Sequence, residues 1–271
     1  MAEPQKFAIL KRARRIWAVG AIHGESDRLI GLHDVLAERF EPPGDRLIYL
    51  GNYLGRGPNS AATIAELLDF RRRVMALPGI FAADVVFLRG AQEEMWQKVQ
   101  QLQFAVNPRE VLDWMLAQGM GATLAAYGVD AAQGMAAARD GTLSLSRWTA
   151  RIRTAIAARP GHRELLSALR RAAFDAESRL LFVSAGLDVS RPLSTQGDRF
   201  WWGGPGFGTW AEPYGGYRRV VRGYDPAHGG VAMTPYALTV DAGCGFGGPL
   251  AALCLSADGA VLDRIDSPAP G

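Results

Sequence analysis

The stretch Tyr49-Leu50-Gly51-Asn52-Tyr53-Leu54-Gly55-Arg56-Gly57-Pro58 decides the fold of this chain. An apolar run over residues 46–51 ends in a glycine turn, and a helical pattern begins at Pro58. Proline suits the first turn of a helix because the N–H that it lacks would have no partner there. The same order of strand, glycine turn and helix also occurs with strands at residues 16–20 and 84–90. Three such repeats predict an α/β fold with a largely parallel sheet.

Composition sets the size and class of the protein. The chain has 271 residues, of which 48% are hydrophobic and 21% are charged, so it is long enough for one large folded core. The net charge of +3 is mild and does not favour a nucleic acid partner. The two cysteines, Cys244 and Cys254, do not form a disulfide framework. With no signal-peptide pattern at the N-terminus, we expect a cytoplasmic protein.

The pattern changes after residue 105. Apolar residues recur at helical spacing from Val111 to Leu116, and alanine-rich amphipathic stretches follow, which predicts a helical cap over about 105–172. Short apolar runs then predict a second set of strands, at residues 180–183, 219–222, 237–240, 250–255 and 261–262. Residues 238–256 are apolar, but Asp241 and Pro249 favour two strands and a turn over a membrane span. We expect one domain over 1–271, with the cap between two halves of the sheet.

Four glycine-framed blocks carry a resemblance to a known family. The block quoted above is joined by Val19-Gly20-Ala21-Ile22-His23-Gly24, by Leu88-Arg89-Gly90-Ala91-Gln92-Glu93 and by Phe182-Val183-Ser184-Ala185-Gly186. In this order they resemble the signature blocks of bacterial phosphoprotein phosphatases, within the calcineurin-like metallophosphoesterases. Those blocks read Gly-Asp-x-His-Gly, Gly-Asp-x-x-Asp-Arg-Gly, Gly-Asn-His-Glu and His-Ala-Gly. The resemblance covers nearly the whole chain and implies a β-sandwich flanked by helices, with an inserted helical cap.

The reactive residues of the family are mostly replaced. The resemblance implies a pair of metal ions of the Mn, Fe or Zn type, but only one of its six ligands, His23, is kept. The other five ligand positions are occupied by Ala21, Asn52, Ala91, Ser184 and Tyr224. The general acid and the carboxylate that orients it correspond to Gln92 and Gly55. An amide is not a usable acid near neutral pH, so we expect a pseudophosphatase without metal cofactors.

His23 and Asn52 are the remnants of the metal site. His23 is interpreted as a residue of the pocket wall or as a single metal ligand. Asn52 is interpreted as a turn residue or as a weak ligand.

Three arginines form a candidate phosphate site. Arg56 matches the arginine that the family uses on phosphoryl oxygens, and Arg89 precedes the glycine of the third block. Arg222 lies two residues before Tyr224, which predicts a shared face of one strand. In one hypothesis the three arginines together form an anion pocket without metal, since a guanidinium group binds phosphate bidentately. In the other, Arg56 and Arg89 pair with acids such as Glu93 or Asp225.

Three functions remain open at this point. In the first, the protein is non-catalytic and acts by binding. Its ligand is a partner protein, with or without a phosphorylated residue, or a small phosphate-bearing molecule. In the second it is a metal-dependent phosphoesterase with residual activity on phosphoproteins or nucleotides, and in the third it is a scaffold subunit. The aromatic, glycine-rich segment 201–210 is interpreted as a recognition surface or as cover for the core edge. No nucleic acid or membrane partner is expected.

Overall fold

The computed structural model describes residues 6–268 of the chain. The strands are β1 Phe7–Leu10, β2 Arg15–Val19, β3 Asp45–Tyr49, β4 Val85–Phe87, β5 Ala172–Asp175, β6 Leu180–Val183, β7 Arg219–Arg222, β8 Ala232–Met233, β9 Ala237–Thr239, β10 Ala251–Ser256 and β11 Val261–Asp266. The helices are α1 Ser26–Arg39, α2 Ser60–Met75, α3 Ala91–Val99, α4 Pro108–Ala117, α5 Met120–Ala126, α6 Ala131–Asp140, α7 Thr142–Ala157, α8 His162–Ser167 and α9 Arg199–Trp202.

The strands form two sheets that pack face to face. The first has the order β11-β10-β2-β3-β4, and the second has the order β1-β5-β6-β7-β9-β8. Strands β2, β3 and β4 are parallel, as are β6, β7 and β9, so the carboxyl ends of each set meet at one edge. The predicted α/β class, a sandwich flanked by helices, is confirmed.

Alternating side chains explain why the strands are buried on both faces. In β2, Ile16 and Ala18 point between the sheets, whereas Trp17 and Val19 point toward the outer helices. The period of two along a strand produces this division. The inner layer includes Phe182 from the second sheet. A third layer covers the outer face of the second sheet and consists of residues such as Phe200, Trp201, Phe207 and Val220.

Helices α4 to α8 lie in the chain between β4 and β5 and occupy the region predicted for the cap. They begin at Pro108 and end at Ser167, a few residues inside the predicted bounds. The sequence did not predict β1 or β5, which pair in parallel with each other. Residues 238–256 contain the end of β9, a glycine-rich turn and all of β10, as expected. Within residues 6–268, no helix has the length and apolar character needed to cross a membrane.

Candidate functional site

Close backbone contacts bring the sequence blocks together at the carboxyl ends of the strands. Gly51 has a φ of +93°, and a Cβ atom there would lie 2.7 Å from the amide nitrogen of Gly90 and 2.8 Å from Ser184 Oγ. Only glycine fits such a position, because a side chain would overlap both neighbours. The glycine frame therefore fixes how closely the second, third and fourth blocks approach each other.

Further hydrogen bonds connect the remaining positions. The N–H of Ala21 donates to the carbonyl of Gly223 at 2.9 Å, and the N–H of Tyr224 donates to the carbonyl of Ser184 at 2.9 Å. Asn52 Oδ1 accepts from the N–H of Gln92 at 3.1 Å. The structure thus gathers the replaced positions, which we call the motif cluster. Its members are Ala21, Asn52, Gly55, Ala91, Gln92, Ser184 and Tyr224.

Glu93 holds the turn of the second block in place. Its carboxylate accepts N–H groups from Gly90, Asn52 and Tyr53 at 2.8 Å each, and from Leu54 at 3.2 Å. Burial raises the pKa of Glu93, and these four donors oppose that shift. The hypothesis that Glu93 pairs with Arg56 or Arg89 is therefore wrong, because this carboxylate is occupied by backbone donors.

The motif cluster contains buried polar atoms that have no hydrogen-bond partner among the described residues. They are Asn52 Nδ2, Gln92 Oε1 and Ser184 Oγ. Asn52 has a φ of +58°, so it acts as a turn residue, and asparagine tolerates this conformation better than most residues do. Buried polar groups normally have partners, so atoms of this kind indicate a place where water or a ligand binds.

His23 lies beside the motif cluster and is 2% exposed. Neither ring nitrogen makes a hydrogen bond of good geometry within the described residues, although the nearby Leu54 backbone opposes the shift of its pKa. Burial, followed by the charges of Arg56 and His228, lowers the pKa of His23 to about 3. The imidazole is therefore neutral at physiological pH and forms part of the pocket wall.

Two rings pack on His23 and two further side chains pack on those rings, and we call the four the aromatic cover: Phe246, Tyr224, His228 and Arg56. The ring centroids of Phe246 and Tyr224 lie 5.4 and 5.5 Å from that of His23. The ring centroids of His228 and Phe246 lie 3.7 Å apart, and the guanidinium carbon of Arg56 lies 4.2 Å from the centre of the Phe246 ring. Aromatic and cationic groups thus close the space above the histidine.

Phe246 was not anticipated from the sequence. It belongs to a glycine-rich turn in which Gly243, Gly245 and Gly247 all have positive φ angles. A Cβ atom at Gly245 would lie 2.4 Å from Cβ of His23, so this turn closes directly on the histidine. The density of glycines around one aromatic residue is the signal that indicates such a close approach.

Comparison with solved structures identifies the fold. A protein named as a diadenosine tetraphosphatase is 19% identical, with 97% of this chain and 98% of that one covered and a TM-score of 0.56. A serine/threonine phosphatase from Saccharomyces cerevisiae with similarity to human PP5 is 13% identical over 98% of this chain and 84% of its own, with a TM-score of 0.55. A cold-active protein-tyrosine phosphatase of a psychrophilic Shewanella species is 11% identical over 97% and 82%, with a TM-score of 0.56.

The chain has the fold of these phosphatases. At such identities the likeness shows the fold alone, and the predicted metallophosphoesterase-like sandwich is confirmed at that level. No protein-family model matches the chain, and no curated protein matches it.

The donor set does not fit the metal pair that this fold implies. Hard divalent cations require carboxylate, carbonyl or imidazole ligands in sufficient number. The motif cluster offers the Asn52 amide, and His23 lies among aromatic rings. Asp241, which lies 3.7 Å from His228, is engaged elsewhere, since it accepts the N–H groups of Asp225 and Gly243 at 2.9 and 2.8 Å. Among residues 6–268, His, Cys, Asp and Glu form no group of three that could hold a metal ion.

Of the three predicted phosphate-binding arginines, only Arg56 lies at the cover without a carboxylate partner among residues 6–268. Arg89 pairs with Glu94 at 3.2 Å. Arg222 pairs with Asp225 at 3.0 Å and lies 4.3 Å from the centre of the Phe207 ring. The hypothesis of a three-arginine pocket is therefore wrong in this form, because Arg89 and Arg222 are each bound to an acid of their own.

The face predicted for Arg222 is also wrong. The N–H groups of Gly223 and Tyr224 both donate to the carbonyl of Ser184, at 3.0 and 2.9 Å. Strand β7 ends at Arg222, so Tyr224 lies outside it, and the alternation that predicted a shared face does not extend to Tyr224. Arg222 instead lies under Phe207, in the outer layer.

Segment 201–210 covers the core edge in part, which is one of its two expected roles. Trp201 and Phe207 are buried and cover the outer face of the second sheet. Trp202 contacts Trp114 of the cap, with ring centroids 5.3 Å apart. Trp210 lines an open cavity of about 720 Å³ together with Tyr214 and other residues of 189–217. Whether this cavity receives a partner stays a prediction.

Proposed function

We propose that this chain is a catalytically inactive protein with a phosphatase fold, which acts by binding. The observation that carries the proposal is the closure of the motif cluster. Where a two-metal enzyme needs open coordination positions, this chain has Ala21 and Ala91, and Phe246 and Tyr224 pack over His23. The general acid and its orienting carboxylate are replaced by Gln92 and Gly55.

We propose further that the ligand is a phosphate group carried by a partner protein. The feature that supports this part is the guanidinium of Arg56, which lies at the aromatic cover. Arg56 is exposed and has no carboxylate partner among the described residues; its guanidinium rests on Phe246. A hydrogen bond to a charged group contributes roughly 1.5–3 kcal/mol. Arg56 alone is therefore expected to give weak binding that falls as salt rises.

Metal analysis and activity test the inactive state. Protein purified without chelator should contain no stoichiometric Mn, Fe, Zn or Mg. It should not hydrolyse p-nitrophenyl phosphate, phosphopeptides or dinucleoside polyphosphates, with or without added Mn. The comparison variant is His23→Asn, which removes the one conserved ligand and tolerates the φ of +54° at this position. Metal-dependent turnover well above that of the variant would establish the alternative, a phosphoesterase with residual activity.

Titration tests the ligand. Inorganic phosphate and a phosphoserine peptide are titrated into wild type, Arg56→Asn and the matched control Arg89→Ala, with calorimetry or amide shifts as the readout. We expect Arg56→Asn to weaken binding about tenfold, which is the effect of roughly 1.4 kcal/mol, and Arg89→Ala to leave it unchanged. Tighter binding of the peptide than of phosphate supports a protein partner. Equal responses of wild type and Arg56→Asn would leave only the scaffold role.

A further inference from the structure

A second cavity lies at the edge of the sandwich, and we call it the edge cleft. It has a volume of about 760 Å³ and lies between the edge strands β1 and β4, helix α2 and helix α8. Its lining residues include none of the motif cluster or the aromatic cover. The volume lies within the range of about 300–1,000 Å³ that is typical of small-molecule sites. The edge cleft is therefore separate from the candidate functional site.

The lining combines apolar surface with positive charge. Leu68 and Leu165 contribute apolar side chains, and Phe81, which is 63% exposed, lies at the cleft with its ring open to solvent. Lys11 and Arg71 are among its basic residues, and Arg12 is another. The side chains of these three make no ion pair or hydrogen bond with any residue in the described part of the chain. The cleft thus presents cations beside an apolar wall.

The acids of the lining do not neutralise these cations. Asp84 pairs with the buried Arg46, with 2.9 Å between Arg46 Nε and Asp84 Oδ1. Glu164 lies 3.7 Å from Arg163, and one exposed carboxylate offsets only part of the charge of the three cations. Cations gathered in a cleft with low-dielectric walls focus positive potential there. The electrostatic complement of the edge cleft is an anion.

We propose that the edge cleft binds a small anionic ligand that carries an apolar group. The phosphate or carboxylate of the ligand would pair with Lys11, Arg12 and Arg71, and its apolar body would pack on Leu68 and Phe81. Guanidinium groups favour this pairing because they present several N–H donors in a fixed plane. Two ligand types share this chemistry: a nucleoside monophosphate and a fatty acid.

The experiment uses AMP and octanoate as probes, with inorganic phosphate as the probe that lacks an apolar group. Each is titrated into the full chain at low ionic strength and followed by calorimetry and amide shifts. Arg71→Ala is the principal variant, since alanine suits a helix. Arg72→Ala is its matched control on the same helix, because Arg72 pairs with Asp69 and does not line the cleft.

We expect AMP or octanoate to bind, and Arg71→Ala to weaken that binding about tenfold while Arg72→Ala leaves it unchanged. Phe81→Ala should weaken the same probe and leave the response to inorganic phosphate unchanged. Preference for AMP identifies the nucleotide type, and preference for octanoate identifies the acyl type. Arg56→Asn should leave this binding unchanged, which separates it from the phosphate binding proposed above. Absence of binding by both probes, or equal binding by wild type and Arg71→Ala, would overturn the proposal.

Discussion

Phe246 packs edge-on against His23, with ring centroids 5.4 Å apart and an angle of 88° between the ring planes. The group that the imidazole faces is a hydrocarbon ring. An aromatic edge carries partial positive charge and interacts favourably with the face or the nitrogen lone pair of a neighbouring ring. The pair therefore stabilises a neutral histidine and leaves little room for a cation beside it.

This burial predicts a dependence of stability on pH. The pKa of His23 is about 3 in the folded protein, against an ordinary value of 6.5, so the unfolded chain binds the proton more tightly. His23 therefore does not lower the free energy of unfolding above pH 6.5. As the pH falls toward 3, protonation of His23 in the unfolded chain lowers this free energy by at most about 1.4 kcal/mol for each pH unit. Urea unfolding of wild type and His23→Asn between pH 7.5 and 4.5 measures the difference. Parallel stability curves for the two proteins would contradict the assignment.

Removal of the cover should return the histidine to water. Phe246→Ala opens the space above His23, so we expect the pKa of His23 to rise toward 6.5, because desolvation is the largest cause of its depression. Phe246→Leu keeps an apolar group there and serves as the control, with a smaller rise. The chemical shifts of the imidazole protons report the titration directly. An unchanged pKa in Phe246→Ala would mean that other residues exclude the water.

Glu93 offers a test of the turn that carries Asn52 and Arg56. In Glu93→Gln one carboxylate oxygen becomes an NH₂ group, which faces backbone N–H donors and cannot accept from them. Hydrogen bonds to charged groups contribute about 1.5–3 kcal/mol each, so we expect the free energy of unfolding to fall by about 3 kcal/mol. The matched control is Glu94→Gln, whose acid pairs with Arg89 and Lys98 near the surface and should change stability by less than about 1 kcal/mol. Similar losses in both variants would show that Glu93 has no special role.

The sequence predicted those features that depend on local chemistry. Glycines such as Gly51 are required where backbone segments nearly touch. The glycine pattern of the sequence therefore predicts both the fold and the convergence of the four blocks. Strand β6 was predicted at its observed bounds because its side chains are buried on both faces. Arg222 was misplaced because period-two spacing cannot show where a strand ends. Phe246 was missed because its contact with His23 joins turns that lie more than 200 residues apart, and no local pattern encodes that distance.

Gly55 and Gln92, the two positions at which the sequence resemblance implies an acid pair, contact each other. A Cβ atom at Gly55 would lie 2.4 Å from Gln92 Oε1, and the Gln92 side chain is itself held by a hydrogen bond from Nε2 to the carbonyl of Gln118 at 2.9 Å. A carboxylate side chain therefore does not fit at residue 55 while Gln92 keeps this position.

We predict that Gly55→Ala destabilises the protein more than Gly128→Ala does. Both glycines have positive φ angles, +93° and +73°, so both variants lose about 1–2 kcal/mol to backbone strain. A Cβ atom at Gly128 would meet nothing within 4 Å, whereas at Gly55 the overlap with Gln92 should add about 1–3 kcal/mol. Adding Gln92→Ala to Gly55→Ala should recover that extra loss, and a double-mutant cycle by urea unfolding measures the coupling. Equal losses in the two glycine variants, or no recovery in the double variant, would mean that the two positions changed independently.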